Sequence, residues 1–170
     1  MDFPRHPAAL PTERLLAECE IQRTRRSGPG GQRRNKVETA VIIMHRPSGI
    51  AAEANERRSQ SENRNVALFR LRLRLALEIR EELTAPHEPS PLWLSRCRDN
   101  KVSVNPQHED FPALLAESLD VLATCDHDLP LAASRLCCTT SQLIKFLQLE
   151  PRAMAAHNRV RAERGLHRLR

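Results

Sequence analysis

The stretch RRSGPGGQRRNKVETA at residues 25–40 concentrates the residue types that could do chemistry. Positions 28–31 hold three glycines and one proline, and the uncharged amide of Gln32 follows directly. The cations that flank this cluster are Arg25, Arg26, Arg33, Arg34 and Lys36. Glycine permits backbone conformations that other residues avoid, and arginine binds phosphate through two parallel hydrogen bonds, so the stretch suits a nucleic-acid partner. The same composition also suits an ordinary surface hairpin loop with solvated arginines.

Two familiar phosphate-binding loops are excluded by the residue types in this stretch. A Walker loop ends in Gly-Lys followed by Ser or Thr, and no such tripeptide follows Gly28. A dinucleotide-binding fingerprint requires glycine at the position that Arg33 occupies. The stretch therefore belongs to neither class of nucleotide-binding loop.

The composition favours a globular protein with a polyanionic partner. The 170 residues carry a formal net charge of +6, and the positive charge lies in residues 1–85 and 151–170, whereas residues 86–150 are net acidic. Two separate surfaces could therefore meet a polyanion. Aromatic residues make up only 3% of the chain, with no tyrosine and a single Trp93, which argues against a protein that reads single strands by base stacking.

The cysteines and the N-terminus predict a cytoplasmic protein with reduced thiols. The chain has five cysteines and no Cys-x-x-Cys spacing, opens without the apolar core of a signal peptide, and has no apolar run of membrane-spanning length. We expect Cys137 and Cys138 to be small buried residues, because a metal pair with His108 or His127 lacks the usual ligand spacing. We expect no metal and no cofactor.

The elements that must position the glycine-rich stretch are predicted to be strands. A short helix is expected at 11–16 with Thr12 as its N-cap, and strands are expected at 19–24, 38–44 and 50–54. The turn residues Pro-Ser-Gly at 47–49 separate the last two strands.

Residues 60–83 carry two conflicting patterns. Leucine and isoleucine alternate from 71 to 79 as in a strand, yet the segment is long and rich in strong helix formers. We predict a helix on length and propensity. Its apolar face would hold Leu68, Leu71, Leu75, Ile79 and Leu83.

The proline-rich stretch APHEPSP at 85–91 predicts a boundary, and the pattern beyond it is helical. We expect an α+β domain at 1–84 with a small mixed sheet and packed helices, a linker at 85–104, and an all-α domain at 105–170. Helices are expected at 113–123, 131–136, 140–147 and 152–164. The segment 132–146 is typical of a helix-turn-helix, and its expected core is Ala133, Leu136, Leu143 and Leu147.

Three motifs at defined distances resemble one known family. They are SGPGGQ at 27–32, NKVET at 35–39 and RSQSENR at 58–64. Together they resemble the catalytic domain of the peptide chain release factors, and most of all that of the small codon-independent hydrolases that free stalled ribosomes. The resemblance covers about residues 15–83.

The resemblance implies a ribosome-dependent hydrolase with the catalytic residues Gly30, Gly31 and Gln32. In that family the loop enters the peptidyl-transferase centre and promotes attack of water on the peptidyl-tRNA ester. The surroundings are RNA, so the protein need supply only a donor where negative charge develops and space for one water. The implied partners are the large-subunit rRNA and peptidyl-tRNA. We expect a monomer away from the ribosome and no membrane partner.

The expected RNA-binding cations lie in three groups. The first group comprises the five cations of residues 25–36, and the second comprises Arg58 and Arg64. The segment that carries the second group could also be the solvated start of a helix. The third group is the C-terminal set Arg159, Arg161, Arg164, Arg168 and Arg170, which the resemblance places in an empty mRNA channel of the small subunit. The alternative is an amphipathic last helix that packs through Met154, Val160 and Leu166.

Two other functions stay open at this stage. Arg33 and Arg34 replace the His-Val or Asn-Val pair usual in the family, which would fit a ribosome- or rRNA-binding protein that has lost hydrolysis. A helix-turn-helix regulator of nucleic acid is the other alternative, but Lys145 is the lone cation on the expected recognition helix. The sequence offers no place for a codon-reading domain, so we expect codon-independent release.

Overall fold

A computed structural model of the chain describes residues 6–24, 40–83 and 88–169. Within these ranges a three-stranded antiparallel sheet packs against a long helix, and a two-stranded hairpin and further helices follow. The predicted α+β fold with helical elements is confirmed.

Most helices and strands lie close to their predicted positions, but the short elements between residues 91 and 102 were not predicted. The first part, after a 3-10 turn at Pro7–Ala9, comprises α1 (Thr12–Ala17), β1 (Cys19–Thr24), β2 (Ala40–His45), β3 (Ala51–Ala54) and α2 (Gln60–Glu78). The second part comprises α3 (Pro91–Arg96), β4 (Cys97–Arg98), β5 (Lys101–Val102), α4 (Phe111–Thr124), α5 (Leu129–Arg135), α6 (Thr140–Gln148) and α7 (Pro151–Glu163). The predicted Thr12 cap is wrong, because Pro11 occupies the N-cap position and Thr12 is already helical.

The sheet has the order β1-β2-β3, and both strand pairs are antiparallel. The tight turn between β2 and β3 contains Gly49 at φ +70°, a conformation that favours glycine. At this end of the sheet the buried His45 contacts Ser48 through Nδ1 at 2.7 Å and Glu18 through Nε2 at 3.1 Å. The strands are therefore fixed firmly at the end where β1 begins.

Helix α2 packs on β2 and β3 and resolves the alternating pattern of its sequence. Leu71 and Leu75 are fully buried, as predicted for a helix. The arginines between the leucines reach other segments: Arg70 donates to the Glu53 carbonyl at 2.8 Å and Arg74 to the Ala51 carbonyl. These two carbonyls belong to the edge strand β3, so the guanidinium groups satisfy backbone acceptors that an edge strand would leave unpaired.

Helix α2 ends at Glu78, earlier than the predicted end at 83. The guanidinium of Arg80 donates to the carbonyls of Ala76 and Leu77 at 2.7 and 2.6 Å, which satisfies acceptors of the last helical turn. The same group contacts the buried carboxylate of Asp120 at 3.1 Å. The end of the helix is thus set by a contact distant in sequence.

The helices after residue 88 surround a small aromatic cluster. The indole of buried Trp93 donates to the Leu136 carbonyl at 2.7 Å, and its ring meets Phe146 edge-on with centroids 5.4 Å apart. The predicted helix-turn-helix core of Ala133, Leu136, Leu143 and Leu147 is buried.

Helix α6 begins at Thr140, as predicted, and the Thr139 hydroxyl caps it by accepting from the Gln142 N–H at 3.2 Å. One detail of this region differs from the prediction. Cys138 is buried as predicted, but Cys137 is exposed, because its φ of 52° lies in the left-handed turn that ends α5.

The segment at 85–104 contains regular structure within its described part. Helix α3 and the β4–β5 hairpin fall inside it, and α2 packs directly against α4. Buried apolar residues from both sides of the segment belong to one continuous core. The division into domains at 1–84 and 105–170 stays a prediction.

Two buried histidines make the fold sensitive to acid. Burial lowers the pKa of both His6 and His157 to about 4; the neighbouring His127 and Arg161 add to the effect at His157, whereas a bond to the Ile79 carbonyl opposes it at His6. Their folded pKa lies below the unfolded value of about 6.5, so the unfolded chain binds more protons in acid. The contribution of these two histidines to the free energy of unfolding is therefore at its full value above pH 6.5, and it falls as the pH drops towards 4.

Between pH 7.5 and 4.5, we expect the free energy of unfolding of the His157→Phe variant to fall by about 2–3 kcal/mol less than that of the wild type. Among the described residues, neither ring nitrogen of His157 has a hydrogen-bond partner, so phenylalanine should fit without leaving a polar group unsatisfied. Urea unfolding of both proteins at the two pH values checks this. Burial raises the pKa of Asp120 to about 6, so this group stabilises the fold as the pH falls, opposite to the histidines. Its contribution is the same in both proteins and cancels when they are compared. Equal acid sensitivity of the two proteins would contradict the assignment.

Candidate functional site

The register of the sheet places the two flanks of residues 25–39 and the beginning of the 55–64 segment at one end of the sheet. Thr24, the last residue of β1, is paired with Ala40, the first residue of β2. Val41 is paired with Ala54, the last residue of β3. The chain therefore enters residues 25–39 and leaves them at the same end of the sheet where residues 55–59 lead into α2.

The predicted catalytic residues and loop cations lie outside the described residues. They are Gly30, Gly31 and Gln32, with Arg25, Arg26, Arg33, Arg34 and Lys36. The structure describes the strands on either side of them. Of these, β1 contributes an exposed edge strand, and β2 is the buried central strand.

Asn63 shapes the second motif. Its side chain is fully buried and accepts from the Arg57 N–H at 2.9 Å while its amide donates to the Arg57 carbonyl at 3.0 Å. This pair of bonds folds residues 57–62 against the start of α2. Arg58 and Arg64 are both exposed on this segment, next to the end of the sheet that carries residues 25–39.

A second contact fixes the residues before this motif. The Glu56 carboxylate binds Arg70 at 2.6 Å and accepts from the Asn55 N–H at 2.9 Å. Burial raises the pKa of the Glu56 carboxyl, but these hydrogen bonds and the charge of Arg70 outweigh it, and the net pKa lies below its ordinary value. The 55–64 segment is thus held from both ends, with its arginines directed to solvent.

We expect Asn63→Ala to lower the free energy of unfolding by about 2–3 kcal/mol, because it leaves a backbone donor and acceptor of Arg57 without their partner. Asn65→Ala is the matched control, since Asn65 is exposed on the same helix and should change stability by less than about 0.5 kcal/mol. Urea unfolding measures both. Equal losses in the two variants would show that the Asn63 bonds do not hold the segment.

The C-terminal arginines lie on and after a packed helix. Met154 and His157 of α7 are buried, whereas Val160 is partly buried and Leu166 is exposed, so the predicted packing holds for the first half of the helix. Arg164 forms an ion pair with Asp126, and Arg161 donates to the His167 carbonyl at 2.8 Å. The two remaining described members of the set, Arg159 and Arg168, are exposed, and Arg170 lies outside the described residues.

The described ranges contain neither a cluster of metal-binding side chains nor a membrane-spanning helix. Among residues 6–24, 40–83 and 88–169, no three histidine, cysteine or acidic side chains are placed to hold a metal ion. No helix in these ranges has the length and apolar character needed to cross a bilayer.

A family model described as the RF-1 domain matches residues 15–100 of the chain. The match begins in α1, spans the sheet and the segment between its paired ends, and continues through α2 to the β4–β5 hairpin. The chain belongs to the RF-1 domain family. The resemblance of the three sequence motifs to the peptide chain release factors is therefore confirmed.

Curated relatives are peptide chain release factors. A chloroplastic release factor of Arabidopsis thaliana is 46% identical over 65 residues, which cover 38% of this chain and 14% of that protein. A mitochondrial release factor 1-like protein of Rattus norvegicus is 43% identical over 79 residues, 44% of this chain and 21% of the relative. Release factor 1 of Leptothrix cholodnii is 44% identical over 69 residues, 41% of this chain and 19% of the relative. The chain thus spans only about a seventh to a fifth of the length of these relatives.

Sequence reasoning missed the residues that hold the 55–64 segment in place. Asn63 was expected to be part of a polar helix start, but it is the buried clamp of that start. Arg70 was counted as a helix former, but it ties Glu53 and Glu56 to α2. An asparagine four residues after the cap residue Ser59 could have signalled a side chain that bonds backbone, but its long-range burial has no local signal.

Proposed function

We propose that this protein hydrolyses the peptidyl-tRNA ester on the ribosome and releases the nascent chain. The observation that supports it best is the pairing of Thr24 with Ala40, which joins both ends of residues 25–39 to a rigid sheet beside the 55–64 segment. Membership of the RF-1 domain family and the names of the relatives support the same activity.

The chemistry requires positioning more than reactive side chains. Water adds to the ester carbonyl, the ester C–O bond breaks, the peptide leaves as a carboxylic acid, and the terminal ribose oxygen of the tRNA takes up a proton. The backbone N–H of Gln32 is proposed to donate to the oxyanion, an effect worth on the order of 10²–10³ in rate. The Gln32 side chain orients the water. Gly30 and Gly31 permit the backbone conformation and leave space in a narrow cavity.

The proposed partner is ribosomal RNA. Arg25, Arg26, Arg33, Arg34 and Lys36 would neutralise phosphates around the peptidyl-transferase centre. Arg58 and Arg64 would contact rRNA from the adjoining segment, where the Asn63 and Glu56 bonds hold the backbone in place. Such contacts set affinity and orientation rather than sequence specificity.

We further propose that release is codon-independent and rescues stalled ribosomes. The exposed Arg159 and Arg168, together with Arg170, would occupy the mRNA channel when it is empty. The packed first half of α7 would then anchor this basic end to the helical part of the protein. The protein would act in the cytoplasm as a monomer away from the ribosome.

Peptide release from two defined ribosome complexes tests the proposal. Both carry labelled peptidyl-tRNA in the P site; in one the mRNA ends there, and in the other a sense codon and further mRNA follow. We expect rapid release from the first complex and slow release from the second, without a stop codon in either. A third complex with a stop codon after the P site serves as the reference, and release from that complex alone would contradict rescue. Ribosome binding without release from any of the three complexes would favour an rRNA-binding protein that has lost hydrolysis.

A further inference from the structure

A small hairpin outside the predicted motifs carries an unexplained pair of positive charges. Strands β4 and β5 pair antiparallel, with Arg98 directly opposite Lys101. Asp99 and Asn100 form the two-residue turn between them, both with positive φ, of 49° and 59°. Asparagine and aspartate tolerate this conformation better than most residues, so the turn is locally well suited to its sequence.

Strand alternation separates this hairpin into two faces. Cys97 and Val102 pack against the core, so Arg98 and Lys101 point to the opposite side, and both are exposed. Ser95, Arg96 and Ser103 join them in lining a shallow surface cleft. The outer face of the hairpin is therefore polar, basic and open to solvent.

The charges on this face are not equally available. The guanidinium of Arg96 binds Asp110 at 2.5 Å and is neutralised there. Neither Arg98 nor Lys101 forms an ion pair with any residue of the described ranges. Like charges directly opposite each other on a strand pair are destabilising, so the folded protein alone gives no reason for this arrangement. An anion bound between the two cations would convert the repulsion into attraction.

The hairpin is held in place from its inner side. The Asn100 carbonyl accepts from the Thr139 N–H at 3.4 Å, and the Cys97 thiol donates to the Cys137 carbonyl at 3.4 Å. The Ser103 N–H donates to the Arg96 carbonyl at 3.0 Å, which extends the backbone pairing beyond the strands. The two cations are thus mounted on an anchored element, which lowers the entropic cost of binding.

We propose that the outer face of the β4–β5 hairpin binds the sugar-phosphate backbone of RNA. Two cations beside serine hydroxyls match phosphate oxygens, and none of the side chains lining the cleft is an aromatic that could stack on a base. The site is therefore expected to contact backbone without reading sequence. This contact would be separate from residues 25–39 and 55–64. That the RNA is ribosomal RNA rests on the proposed function.

The test measures binding to a short mixed-sequence RNA duplex and to purified large ribosomal subunits over a range of salt concentrations. The double variant Arg98→Gln and Lys101→Gln should lower the slope of log affinity against log salt by roughly 0.7–0.9 for each phosphate contact removed. The swap Arg98→Lys and Lys101→Arg keeps both charges and should keep the slope. Because a like-charge pair is removed, the melting temperature of the glutamine variant should be unchanged or higher.

Arg14→Gln is the control for net charge, since Arg14 is exposed on α1 and has no assigned role. It is compared with the single variant Arg98→Gln. A smaller slope in Arg98→Gln, with an unchanged slope in Arg14→Gln, supports the site. An unchanged slope for the glutamine double variant, equal effects of Arg14 and Arg98, or binding to anionic vesicles in preference to RNA would each overturn the proposal. Because binding is measured without hydrolysis, a wild-type protein that binds RNA through the hairpin but releases no peptide would contradict the proposed function alone.

Discussion

Replacing Gly31 with alanine is expected to lower the rate of peptide release by about 10²–10³-fold, because a Cβ at this position would displace the proposed hydrogen-bond donor to the oxyanion. Binding to ribosomes should stay close to that of the wild type, since every cation of residues 25–36 remains. Gln32→Ala should reduce release less, because it removes the side chain proposed to orient the water and keeps the backbone N–H. Single-turnover release at saturating protein separates the chemical step from binding.

Gly49→Ala is the matched control for Gly31→Ala. Gly49 lies at the opposite end of the sheet at φ +70°, where alanine costs roughly 1 kcal/mol of stability through backbone strain. That variant should melt at a lower temperature and release peptide at the wild-type rate. Release by Gly31→Ala at the wild-type rate would show that the catalytic assignment of the loop is wrong.

Replacing Arg159, Arg168 and Arg170 with glutamine is expected to reduce release from ribosomes with an empty mRNA channel. If these contacts together are worth about 1.4 kcal/mol, release at subsaturating protein falls about tenfold. Glutamine has nearly the helix propensity of arginine, and the two described residues are exposed, so the melting temperature should not change. The ratio of release between complexes with and without downstream mRNA is the quantity to measure.

A second variant separates this effect from packing. Arg161→Gln with Arg164→Gln removes the contacts to the His167 carbonyl and to Asp126, so it should lower the melting temperature while keeping most of the preference for an empty channel. Loss of that preference only in step with stability would show that the C-terminal arginines pack the last helix. Full release by the Arg159, Arg168 and Arg170 variant would contradict a role in the channel.

The sheet and its helices could be predicted because their signals are local. A run of β-branched and other apolar residues defines β2, the Pro-Ser-Gly turn places β3 directly after it, and a short turn fixes the register of a hairpin. The pairing of Val41 with Ala54 follows from that turn. Once the strands are assigned, the sequence therefore suffices to predict that the flanks of residues 25–39 and the beginning of the 55–64 segment lie at the same end of the sheet.

Contacts between distant residues could not be predicted in the same way. Arg70 and Arg74 read as helix formers, but their guanidinium groups bond the carbonyls of β3, which only the packed helix brings near. The end of α2 depends on Arg80 and Asp120, which are 40 residues apart. The β4–β5 hairpin was absent from the prediction, because strands of two residues are too short to show a period.

The central claim is that this protein cleaves the ester between peptide and tRNA. The most direct measurement is the release of labelled peptide from purified ribosomes that carry peptidyl-tRNA in the P site and no mRNA beyond it. Release by puromycin sets the total that can react, and the products are resolved as free peptide and intact tRNA. We predict that the wild-type protein releases nearly this total in the absence of other factors, whereas Gly31→Ala releases little in the same time. Peptide that stays on tRNA with the wild-type protein bound at saturation would contradict the account.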